Sequence, residues 1–150
     1  MSPLLLVVVV ALLLAPAAAG LFLYAVGRNI DGCRVVERST LMKLLGLEGL
    51  ALFPTVLVAG AALTARGDCA AVLRHERIHI AQQAELLVVP FYVLYVLEGA
   101  ARAATGGLGA YHDIAFEREA YANERKGAYL WTRRPFAWRR YFWVDEPRRS

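Results

Sequence analysis

Cysteine is scarce in this chain. Cys33 and Cys69 are the only two and do not form a Cys-x-x-Cys pair, which excludes a thiolate zinc site and a disulfide framework and leaves room for one disulfide outside the cytosol. Internal repeats are absent, and so are low-complexity segments beyond the Leu/Val/Ala run at the start. Charge is missing altogether from Pro3 to Val26. What is abundant is apolar surface. Hydrophobic residues make up 58% of the 150 residues, against roughly 45–50% in soluble domains. The length suits one compact domain, and the composition points to membrane contact rather than to an ordinary cytosolic enzyme.

The uncharged run is long enough to cross a hydrocarbon layer of about 30 Å as a helix. Residues 1–27 are therefore expected to be a transmembrane anchor or a signal segment, and residues 28–150 the working domain. Met1 and Ser2 supply no basic n-region, which favours an anchor, while Ala15 to Gly20 has the small residues of a signal-peptidase site. The first cations, Arg28, Arg34, Arg38 and Lys43, follow the run, so a single amino-terminal span would leave the domain cytoplasmic. A cleaved signal would reverse that.

Downstream, Arg28 to Lys43 reads as a mixed-charge link. Leu44 to Ala65 is apolar but broken by Gly46, Gly49, Pro54 and Gly60, marginal for a second span. Within it, Phe53 to Val58 has the β-branched content of a short strand or hairpin, and Pro54 suits an edge. Arg66-Gly67-Asp68 reads as a turn with Asp68 as N-cap, opening a helix unbroken until Pro90. A second apolar helix runs from Phe91 to Ala104, ended by Gly106, Gly107 and Gly109. A charged helix is expected from Ile114 to Tyr129. The fold class is α+β, mostly α.

His75-Glu76-Arg77-Ile78-His79 is an H-E-x-x-H string. Four residues is close to one helical turn, so both imidazoles reach one metal ion. Glu76 projects beside the open coordination position, where it can act as general base on a zinc-bound water acidified to a pKa of about 7. Gln82 and Gln83 continue the same face. Zinc is the expected ion, although two imidazoles and a carboxylate also suit manganese, iron or cobalt.

A catalytic zinc needs a third protein ligand. The segment Phe116 to Glu124 offers Glu117, Glu119 and Glu124. Glu117 with Ala120 resembles the E-x-x-A pattern of gluzincins, which makes Glu117 the first choice and Glu119 and Glu124 the alternatives. Tyr121 stands where gluzincins commonly carry an aspartate that orients a histidine ligand. A salt-bridged surface helix with Arg118, Arg125 and Lys126 is the competing reading. His112, Tyr111, Tyr121 and Arg118 are further candidates for stabilising a tetrahedral intermediate.

The strings His75-Glu-Arg-Ile-His-Ile-Ala-Gln-Gln-Ala-Glu85, Pro90-Phe-Tyr-Val-Leu-Tyr95 with Glu98, and Ile114-Ala-Phe-Glu-Arg-Glu-Ala-Tyr-Ala-Asn-Glu124 resemble a group of short bacterial proteins described as zinc metallopeptidases. The likeness begins near Leu52-Phe-Pro54 and runs to the tail, leaving out the amino-terminal run. It implies metal binding and a minimal zincin-like fold, and adds little about substrate. In zincins an edge strand ahead of the motif helix aligns the substrate backbone, which here would be Phe53 to Val58.

The net charge of +4 is carried by the tail, whose arginines are interleaved with Trp131, Phe136, Trp138, Tyr141, Phe142 and Trp143. Beside an apolar amino-terminal run this pattern suits the membrane headgroup layer better than nucleic acid. The function expected from the residues is that of a membrane-associated zinc metallopeptidase acting on peptide or protein. The alternative is a small membrane protein whose metal only holds the fold, or which has none.

Overall fold

The computed structural model describes residues 3–30, 33–37, 42, 44, 46–59, 69–106 and 108–143. They form helix α1 (Pro3–Val26), strands β1 (Arg28–Ile30), β2 (Cys33–Glu37), β3 (Gly49–Leu52) and β4 (Thr55–Val58), and helices α2 (Cys69–Glu85) and α3 (Val89–Gly106). A 3-10 segment (Leu108–Asp113), α4 (Ala115–Asn123), α5 (Tyr129–Thr132) and a second 3-10 segment (Ala137–Phe142) complete the order. The chain is mostly helical around one four-stranded sheet, the α+β class expected.

The sheet order is β1-β2-β4-β3, with β2 and β4 parallel and the two outer pairs antiparallel. The stretch read as a mixed-charge link therefore holds two strands. Phe53 to Val58 also differs from expectation: Phe53 and Pro54 form the turn of a hairpin, and β4 begins at Thr55 as a fully buried inner strand. Pro54 sits in the turn because it has no N–H to give a ladder. Of the hairpin it is β3 that lies at an edge of the sheet, β1 being the other edge. Val56, Leu57, Val58, Val35 and Met42 pack into a core with Val72, Leu73 and Ile80 of α2 against it, as the near-continuous apolar run of β4 requires.

α1 packs on this sheet as well as on α3. Leu23 joins the core, and the Thr55 hydroxyl donates to the Gly20 carbonyl at 2.9 Å. A Cβ at Gly20 would collide with the carbonyl oxygens of Leu52 and Phe53, so only glycine permits this approach. Among the described residues no single helix is long and apolar enough to cross a membrane; the qualifying apolar part of α1 is Leu14–Ala25.

Asp68 and its turn lie outside the described residues. α2 stops at Glu85 rather than at Pro90, because Leu87 and Val88 take left-handed backbone angles. The chain bends by 113° there, and α3 restarts at Val89 with Pro90 in its first turn, where a missing N–H costs nothing. α4 ends at Asn123, short of Tyr129. There the Asn123 amide donates back to the Glu119 carbonyl and to the Tyr141 hydroxyl, a local bond that competes with helix continuation. At its other end no side chain of its own caps α4. Instead Glu98 of α3 accepts the Ala115 N–H at 3.0 Å while also pairing with Arg102, which ties the start of α4 to α3. Phe91, Ile114, Phe116 and Trp138 form a second core beneath them.

Candidate metal centre

α2 runs beneath β3 and beside α4, and its inward face is polar: His75, Glu76, His79, Gln82 and Gln83 are all buried. Buried polar groups need partners, and each one here has a defined one. The two motif imidazoles approach Nε2 to Nε2 at 3.1 Å. Glu117, from the first turn of α4, reaches His75 Nε2 at 3.3 Å and His79 Nε2 at 3.2 Å. Ligands about 2.0–2.1 Å from one tetrahedral ion stand about 3.3–3.4 Å apart, and the imidazole pair and the two imidazole–carboxylate contacts, through Oε2 for His75 and Oε1 for His79, come near that spacing. Together they can hold a metal ion. Glu117 Oε1 accepts from the Tyr95 and Tyr111 hydroxyls at 2.7 and 2.8 Å. Its Oε2 is buried without a hydrogen bond, an oxygen facing the imidazoles with coordination capacity to spare.

The far ring nitrogens are fixed too. His75 Nδ1 donates to Glu124 Oε2 at 3.1 Å, so Glu124 stands behind the histidine instead of in the ligand set. It does what the aspartate expected near position 121 would do, while Tyr121 packs its ring edge-on to His75 at 4.6 Å. For His79 the partner is Gln82. The Gln82 amide nitrogen faces two acceptors, the Phe116 carbonyl and Glu119 Oε2, which leaves its oxygen to accept from His79 Nδ1 at 2.7 Å. Both histidines thereby turn Nε2 toward Glu117, and such outer partners are what hold ligands in position. Glu119 is fully buried, bonded to Arg133, Tyr129 and Gln82, and belongs to this outer layer.

Charge within the cluster is strongly coupled. Burial alone would lower His79, but the adjacent Glu117 carboxylate, its hydrogen bond, Glu76 and Gln82 hold it up at about 9. Burial pushes against ionised Glu117, yet the two imidazoles keep its carboxyl far below the usual range. Glu76 moves the other way: burial raises it, against the pull of His79 and His75 and the Ala51 N–H that donates to it. The Glu76 carboxyl is thus raised and the neighbouring Glu117 carboxyl lowered within one buried cluster.

These groups open on a cavity of about 140 Å³. His75, Glu76, His79 and Glu117 line it together with Leu47, Leu50, Phe91 and Tyr92. β3 enters through Gly49, whose missing side chain makes room for Glu76: a Cβ there would lie 2.6 Å from Glu76 Oε1. The Ala59 N–H bonds the Glu48 carbonyl. By the alternation of an antiparallel ladder, Gly49, Ala51 and Phe53 then point their backbone groups to the outer edge. Gln83 takes two of these, accepting the Phe53 N–H at 2.9 Å and donating to the Ala51 carbonyl at 3.1 Å. The edge strand thus differs from expectation in identity and in availability, since its groups at Ala51 and Phe53 are already paired by the motif helix.

Of the other sequence candidates, Tyr111 reaches Glu117, whereas His112 stays exposed with its ring against Tyr111 and Tyr121, and Arg118 does not line the cavity. Tyr95, Gly49 and Arg133 were missed. Arg133 is the least foreseeable: from the basic tail it turns inward, its side chain 5% exposed, to pair with both Glu85 and Glu119. No family model, curated protein or solved structure matches this chain.

Proposed function

We propose that the chain is a membrane-associated zinc metallopeptidase with a zincin-like arrangement: His75, His79 and Glu117 as ligands and Glu76 as general base. The observation that carries this reading is the buried Glu117 carboxylate set against two imidazoles whose outer nitrogens are already committed, Oε1 toward His79 and Oε2, which has no hydrogen bond, toward His75. The donor set suits zinc by charge and ligand type. When bound, the ion would supply an acidified water and Lewis acidity toward a carbonyl.

The protein's own part follows from the geometry. Glu76, held against Gly49 and the Ala51 N–H, takes the proton from the attacking water and passes it to the leaving amine. Its raised pKa brings it nearer the range in which a carboxylate can do both. The aromatic wall receives an apolar part of the substrate and excludes water. The resemblance to short bacterial metallopeptidases supports the same reading. The uncharged run to Val26 and the basic residues after it support membrane attachment with this domain on the cytoplasmic side. Glu76→Gln tests the chemistry: it should keep the metal and lose hydrolysis of a peptide pool. A Gln variant as active as wild type would remove Glu76 from the mechanism.

A further inference from the structure

α3 has two faces with different work. Inward, Phe91, Tyr92 and Tyr95 line the metal cavity. Its two charged residues, Glu98 and Arg102, pair with each other and with the Ala115 N–H, Glu98 only 11% exposed. Outward, every exposed residue described is proline, alanine, leucine or valine, with Val96 at 66% and Leu97 at 61% exposure. A soluble surface helix carries its charges on the exposed side, and a helix apolar all round is either buried or in lipid. α3 is not buried on that side.

The neighbouring helix bears on which occupant fits. α1 packs against α3, is 24 residues long without a charged residue, and exposes Leu14, Leu21, Phe22 and Tyr24. The two uncharged faces belong to helices that touch each other, and exposed apolar faces of this kind mark sites of protein or membrane contact. A partner protein would have to cover both helices. A bilayer that takes up the exposed face of α1 has α3 packed directly beside it.

We propose that α1 and α3 form one lipid-contacting surface, so that the metal domain is seated on the bilayer through α3 instead of hanging from α1 alone. Since Phe91 and Tyr95 lie on the side of the helix away from the exposed Leu97 and Ala100, the cavity lies about one helix diameter, 10–12 Å, from the lipid. Its substrates are then polypeptide segments lying on or emerging from a membrane. This last step rests on the hydrolytic reading above; the lipid contact does not.

The test uses the full chain in phosphatidylethanolamine and phosphatidylglycerol vesicles. In a Cys33→Ser/Cys69→Ser background, single cysteines at Val96 or Leu97 carry an environment-sensitive fluorophore. Gly127→Cys, where a side chain meets open space, is the control. The α3 labels should be quenched by spin-labelled lipid and shielded from iodide, and the Gly127 label the reverse. α3 labels quenched by iodide as freely as Gly127, or shielded only through cross-linkable contact between two copies, would overturn the proposal. In a second arm one peptide is offered free and vesicle-anchored. Cleavage favouring the anchored form supports the placement and equal cleavage contradicts it. No cleavage of either, with the α3 labels still in lipid, refutes the hydrolytic reading alone.

Discussion

Glu124 is the residue whose role the geometry defines most narrowly, and removing its carboxylate should weaken metal binding without unfolding the protein. Its Oε2 accepts from His75 Nδ1 at 3.1 Å, while its backbone keeps α4 closed through the Glu124 N–H to the Ala120 carbonyl, and its own carbonyl accepts from Arg74. A side-chain substitution leaves those backbone bonds intact. The carboxylate is 20% exposed, so its loss uncovers little. Outer partners of metal-bound histidines are worth about 10–100-fold in affinity, or about 1.4–2.7 kcal/mol. Glu124→Gln keeps an acceptor and loses the charge, which places it near the low end, about 10-fold. Glu124→Ala loses both and falls further, to about 30-fold or more. Competition titration against a chromophoric zinc chelator gives the affinities, and urea unfolding of the metal-free forms should show a change under about 1 kcal/mol. Unaltered affinity in the Ala variant, or a stability loss as large as the affinity loss, would refute the reasoning.

Arg133→Met leaves Glu119 and Glu85 without their cation, Glu119 with no solvent access; breaking a buried pair this way costs about 3–5 kcal/mol, readable as a lower urea midpoint. Gly49→Ala places a Cβ 2.6 Å from Glu76 Oε1, so Glu76 must shift, and peptide hydrolysis should fall at unchanged metal content; retained activity would contradict the placement of Glu76. In the metal-free protein His79 is raised from 6.5 to about 9 by Glu117. Its ion pair with Glu117 therefore contributes stability in full below about pH 6.5 and loses it as pH rises toward about 9. Over the same window metal affinity should climb, up to about tenfold per pH unit, because the ion displaces that proton. Melts and chelator titrations across pH check both directions.

The pairing of the two histidines was legible because helical spacing dictates it: a step of four residues from His75 to His79 fixes a common face whatever surrounds them. Glu117 was reachable for a related reason, since an E-x-x-A string next to alternatives two and seven residues later can be ranked by pattern, but only packing puts Glu119 behind Gln82 and Glu124 behind His75. The sheet was mostly illegible. Arg28–Ile30 and Cys33–Glu37 are short and charged, and a parallel pairing such as β2 with β4 leaves no local signature. The end of α2 also depends on tertiary context, with Leu87 and Val88 in left-handed angles that neither residue type favours. Arg133 shows the limit most plainly. In the sequence it is one arginine of a basic tail, and only the fold reveals it as the counter-ion of buried Glu119 and half-buried Glu85.

The most direct test of the central claim is metal content of the detergent-purified protein by mass spectrometry, wild type beside the His75→Ala/His79→Ala double variant. The account predicts about one equivalent of zinc in the wild type and none in the variant. A folded wild type that takes up no zinc, even after reconstitution, would contradict it.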